Sequence, residues 1–142
     1  MKQFMIRSMF AAATLVAVAG ISSAQTLTAE IPFAFRAGRT LMAPGSYQVK
    51  VDHSGGTAIF HLYNYDNHAG LVLLSYGTSE PDKAWVASGH PKIAFECAAE
   101  RCALRQLWTG DRYSVYQFSS PKPSRGEPAL VTQMRVISAR TE

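Results

Sequence analysis

The chain lacks an apolar run long enough to cross a bilayer. Its longest, residues 9–21, holds thirteen residues. At about 1.5 Å per residue such a helix reaches roughly 20 Å, against the ~30 Å of a hydrocarbon core, so no stable membrane span is expected. Runs of Lys or Arg are missing too, which removes the electrostatic grip of nucleic-acid binders and of proteins that sit on anionic membranes. His-x-His, His-Glu-x-x-His, Cys-x-x-Cys, Gly-x-Ser-x-Gly and Gly-rich phosphate loops are all absent. With them go the compact signatures of zinc sites, redox dithiols, hydrolase nucleophile elbows and nucleotide binding, and the sequence predicts no cofactor and no metal. After residue 25 no long stretch keeps a period of 3.6, so helix is the minority expectation throughout.

The N-terminus carries Lys2 and Arg7 with no acid, then the apolar residues 9–21, then Ser22-Ser23-Ala24 before Gln25. A basic leader, a short apolar stretch and small side chains three and one before a cut are the three parts of a secretory signal. Residues 1–24 are therefore expected to form a signal-peptide helix that is cleaved, leaving residues 25–142 as a single β domain in the periplasm or outside the cell. No Cys stands at the cut, so the lipoprotein form of the signal is absent. Cleavage takes Lys2 and Arg7 away and lowers the net charge from +4 to +2. A domain of this size buries about two-thirds of its unfolded surface, enough for a core without a metal staple.

Gly, Pro, Asn and Asp punctuate the mature chain every ten residues or so, between short apolar runs. That spacing predicts an all-β domain, an antiparallel β-sandwich or a partly closed barrel of about seven to nine strands. Residues 27–35 read as the first strand, with Ile31, Phe33 and Phe35 on one face and Pro32 forcing an edge or a bulge. Residues 40–43 form a short piece, and Pro44-Gly45 suits the centre of a type II turn. Residues 46–52 alternate, with Tyr47, Val49 and Val51 on one face. Ser54-Gly55-Gly56 turns into residues 57–64, whose Ala58, Phe60 and Leu62 lie opposite Ile59, His61 and Tyr63. Unbroken Leu71-Val-Leu-Leu74 predicts a strand covered on both faces at the sheet centre. Trp85-Val86 reads as a short strand, residues 113–118 as another, residues 119–128 as a Pro-rich loop, and residues 130–138 as a last strand that could also wind as a helix.

Residues 92–97 and 102–108 form the best-determined hairpin. A four-residue loop, Ala98-Ala-Glu-Arg101, sets Cys97 opposite Cys102, Phe95 opposite Leu104 and Ile93 opposite Gln106. Opposed residues share a face, and two cysteines in an exported chain predict a disulfide with one possible pairing. Glu96 falls diagonal to Arg101 and Arg105 on the other face.

His61, Asp66 and His68 are the one cluster with conceivable metal or hydrolytic spacing, and that spacing is unspecific. The Tyr and Trp content carries more: rings on a sheet face stack on sugars or fill a ligand cavity, and they also build β cores. Tyr63, His61, Trp85 and Trp108 are the candidate ligand-binding residues. The preferred function is a non-enzymatic binding or structural module of the cell envelope, its partner an envelope glycan, a small apolar ligand or another envelope protein. An envelope-acting hydrolase and a lipocalin-like carrier are the alternatives.

Ile31-Pro-Phe-Ala-Phe35, then Gly38, then Pro44-Gly45-Ser-Tyr47-Gln-Val49 resembles the opening of short exported β-rich proteins of acidobacterial type. Lys92-Ile-Ala-Phe95, a tight turn and Leu104-Arg-Gln-Leu-Trp108 are similar to their hairpin ending in Trp. The resemblance covers about half of the mature chain and implies a fold and a habitat, with no catalytic residues. Cys97 and Cys102 depart from that pattern.

Overall fold

Twelve strands and one short helix make up the described part of a computed structural model, residues 25–110, 114–119 and 133–141. One sheet has the order β12 (Arg140–Thr141), β1 (Gln25–Ile31), β4 (Gly45–Ser54), β5 (Thr57–Asn64), β6 (Gly70–Leu74). The second runs β11 (Gln133–Ser138), β8 (Lys92–Ala98), β9 (Arg101–Trp108), β10 (Val115–Gln117), β7 (Gly77–Ser79). Beside β9 it also takes up β2 (Phe35–Ala37), the single parallel pairing among the described residues, and β3 (Thr40–Met42) pairs with β2. The helix, α1, covers Lys83–Ser88. Neither sheet closes, so the architecture is a β-sandwich and the barrel alternative falls. Seven strands have five or more residues, within the expected seven to nine. The surplus β2, β3, β7, β10 and β12 have two or three residues each.

Period-two alternation builds the first sheet. In β4, Tyr47, Val49 and Val51 are buried, and across the ladder Phe60 and Leu62 of β5 join them from Gly55-Gly56, both at positive φ. Consecutive positive φ values suit a two-residue hairpin turn that follows the strand twist, and glycine reaches them without steric cost. Rings then cross the interior: Phe35 meets Tyr47 at 5.3 Å and Phe95 at 5.1 Å, and Phe60 meets Tyr116 at 4.9 Å and Phe118 at 5.0 Å. These are edge-to-face contacts, each worth about 0.5–1.5 kcal/mol beyond area burial.

The cysteine hairpin has the expected Cys97–Cys102 and Phe95–Leu104 partners, and the two sulfurs are bonded at 2.08 Å. Its loop is tighter than expected: β8 and β9 extend to Ala98 and Arg101, leaving two residues, with Ala99 at positive φ. Ile93 pairs with Leu107 instead of Gln106 because the register shifts between Ala94 and Phe95. The shift sets Arg105 outside the pairing and lets β9 bury Cys102 and Leu104 on one side of it and Leu107 on the other. Arg105 Nε lies 3.1 Å from Glu96, and its Nη1 donates to the Phe118 carbonyl.

Four other expectations are corrected. The strand foreseen at 27–35 ends at Ile31: Pro32 offers no amide to the ladder, and the chain crosses to the second sheet, where Phe35 starts β2. Leu71-Val-Leu-Leu74 is β6 at an edge of its sheet; Leu71 and Leu73 pack on the core while Val72 and Leu74 are exposed. Trp85 and Val86 sit in α1, which the Asp82 side chain caps by accepting from the Ala84 amide at 2.8 Å and Gly89 ends in the left-handed conformation. Gly45, with φ +154°, already belongs to β4 and not to a type II turn. Gln133–Ser138 is strand, not helix. The expected signal peptide, Tyr113 and residues 120–132 lie outside the described residues.

Candidate functional site

The four ligand-binding candidates divide between two places. His61 and Tyr63 share the outer face of β5. There His61 Nε2 sits 3.2 Å from Asp52, and the Tyr63 hydroxyl meets His68 Nδ1 at 2.8 Å. Asp66 turns elsewhere, accepting from the Ser46 amide at 3.1 Å. Among the described residues no three His, Cys, Asp or Glu side chains gather to hold a metal ion. Trp85, on α1, stacks on Trp108 with ring centroids 6.3 Å apart, and Trp108 is only 1% exposed. A buried indole presents no face to a ligand, so Trp108 serves the core.

The Pro44-Gly45-Ser46-Tyr47 segment is a structural knot. Asn64, fully buried, accepts from the amides of Asp66 at 2.8 Å and Asn67 at 3.3 Å and donates to the Ala43 carbonyl at 3.4 Å. The Tyr47 hydroxyl donates to the same carbonyl, and Ser46 Oγ donates to Glu30. A Cβ on Gly45 would lie 2.5 Å from Asp66 Oδ2 and 3.0 Å from Asn64 Oδ1, so only glycine leaves room for the knot. Burial raises the Tyr47 phenol above its usual 10.0; the Asn64 hydrogen bond opposes this, and the Asp66 carboxylate adds to it.

Among the described residues, two surface clefts stand out. One, of about 500 Å³, lies beside β1 and is lined by Thr28, Glu30, Ser46, Tyr65, Ser138 and Arg140 among others. Its Glu30 is already engaged by Ser46. The other, of about 390 Å³, opens at the end of the sandwich where the β4–β5 turn faces the β6–β7 crossing and β10. His53 and Thr57 form one wall, Tyr76 and Thr78 the other, with Ser114 and Tyr116 beside them. Tyr76 is 66% exposed, whereas Tyr116 is buried against Phe60 and lies 6.4 Å from the His53 ring. No sequence motif announces this cleft, because its walls come from three separated segments of small polar residues. Compared with known protein families, curated proteins and solved structures, the chain matches none. No helix among the described residues is long and apolar enough to cross a membrane.

Proposed function

We propose that this chain is an exported, non-enzymatic binding module of the cell envelope, released from its signal peptide after Ala24 and working in the periplasm or outside the cell. The observation that carries the reading is the cleft at the end of the sandwich. Polar groups and an exposed ring there converge on a concavity of about 390 Å³, held by two hydrogen-bonded sheets, and concave sites with a few placed polar groups are where small ligands bind. The Cys97–Cys102 bond supports an oxidising compartment. A hydrolase built on His61, Asp66 and His68 has less support, since His61 pairs with Asp52 and Asp66 with the Ser46 amide. A lipocalin-like carrier has less as well, since Phe35, Tyr47, Phe60 and Phe95 occupy the space between the sheets.

The test is a thermal-shift screen of the purified exported chain against glycans, peptidoglycan fragments and apolar small molecules, with N-terminal sequencing of the product. A ligand class that raises Tm, on a chain beginning at Gln25, supports the reading. A chain that keeps Met1 counts against export, and no stabilisation by any class counts against a small ligand and leaves a protein partner.

A further inference from the structure

We propose that the cleft at the end of the sandwich is a subsite for a neutral saccharide, a proposal that rests on the binding-module reading. Among the described residues lining the cleft there is no Asp, Glu, Lys or Arg, in a chain that carries 14 basic and 10 acidic residues. Among these described lining residues a phosphate or carboxylate ligand meets no Lys or Arg, and an ammonium ligand no Asp or Glu.

Thr57, Tyr76, Thr78 and Ser114 bring hydroxyls to the walls, and their side chains have no hydrogen-bond partner among the described residues. Each hydroxyl both donates and accepts, which matches a ligand that is itself dense in hydroxyls. An apolar ligand would strip water from these groups and return nothing.

Tyr76 presents an exposed aromatic face at the rim, suited to the C–H face of a pyranose. Its backbone is fixed: the Tyr76 amide donates to the Gln117 carbonyl at 3.0 Å, and Ser75 Oγ donates to the Gly77 carbonyl at 2.6 Å. The platform is thus tied to the second sheet before any ligand arrives, which lowers the ordering cost of binding. The volume of about 390 Å³ sits at the small end of the range for ligand sites.

The experiment is a titration of the exported chain with cellotetraose, chitotetraose and maltotetraose, beside tetragalacturonate and octanol, read by amide chemical shifts and calorimetry. At least one neutral oligosaccharide is expected to bind and the uronide and octanol are not. Tyr76→Ala is expected to weaken that binding about tenfold, the size of one lost ring contact, while Tyr76→Trp restores it and Tyr65→Ala, in the other cleft, leaves it unchanged. Tyr76 is two-thirds exposed, so folding survives these changes, and Thr78→Val provides a second variant with the same expected direction. Binding of octanol or the uronide without any neutral sugar overturns the saccharide assignment and leaves the binding-module reading standing. Silence from the whole panel overturns the saccharide assignment, and the broader thermal-shift screen then decides the binding-module reading. Neutral-sugar binding that Tyr76→Ala and Thr78→Val leave untouched overturns the site.

Discussion

Replacing Tyr47 by Phe removes one oxygen from the knot that joins the start of β4 to the loop after β5. The ring stays in the core, where Tyr47 is fully buried against Phe35. What is lost is the hydrogen bond to the Ala43 carbonyl, which keeps only the long 3.4 Å bond from Asn64. A buried acceptor left poorly satisfied costs about 1–3 kcal/mol. The same variant has a pH signature. Burial raises the folded-state phenol above 10.0, and the neutral phenol is the protonated form. Below about pH 10 both states hold the proton and stability is flat. Above it the unfolded chain ionises first, so this contribution is lost as pH rises toward the folded value, with a limiting slope of about 1.4 kcal/mol per pH unit. Urea unfolding followed by tryptophan fluorescence, at neutral pH and then in steps above about pH 9, gives both quantities. The wild type should exceed Tyr47→Phe in stability at neutral pH, and the difference should shrink in alkali. Equal stability at neutral pH, or a difference that does not change with alkali, would refute the role assigned to this hydroxyl.

Gly45→Ala places a Cβ 2.5 Å from Asp66 Oδ2 and should cost about 1–3 kcal/mol; adding Asp66→Ala should recover part of that loss in a double-mutant cycle by urea unfolding. Removing the disulfide with Cys97→Ser and Cys102→Ser should cost only about 2 kcal/mol, because it closes a short loop, and far-UV circular dichroism should retain the β spectrum. Phe60→Ala, in the core, should cost about 3–5 kcal/mol. Val72→Lys, on the exposed row of edge strand β6, should stay within about 0.5 kcal/mol of wild type. The same lysine should lower light scattering from concentrated solutions, since a charge on an apolar edge blocks strand addition.

Where one face of a strand is buried and the other wet, the pattern was readable from residues alone: Tyr47, Val49 and Val51 against Gln48, Lys50 and Asp52, and the Cys97–Cys102 register beside Phe95 and Leu104. Ambiguity began where local pattern stops deciding. Leu71-Val-Leu-Leu74 carries the composition of a buried strand, but a second covering layer is a tertiary fact, and β6 has none over Val72 and Leu74. Phe33 and Phe35 keep period two across Pro32 although the chain changes sheets there, because both ends of the crossing face one core: Phe33 still packs on Phe95 at 5.0 Å. Trp85 misled through its side chain, when Asp82 and Gly89 were the residues that set the helix. The candidate site was the least legible part. His53, Tyr76 and Ser114 are ordinary surface residues until the two sheets bring the β4–β5 turn, the β6–β7 crossing and β10 to one end.

On the proposed reading, ligand binds in the cleft between the β4–β5 turn, the β6–β7 crossing and β10, and not on the His61–Tyr63 face or the Trp85–Trp108 pair. A map of amide chemical-shift changes as a neutral oligosaccharide is added tests it most directly. Shifts are expected at His53, Thr57, Tyr76, Thr78 and Ser114, with little change at His61, Tyr63 or Trp85; shifts confined to those last three residues would overturn the assignment of the cleft.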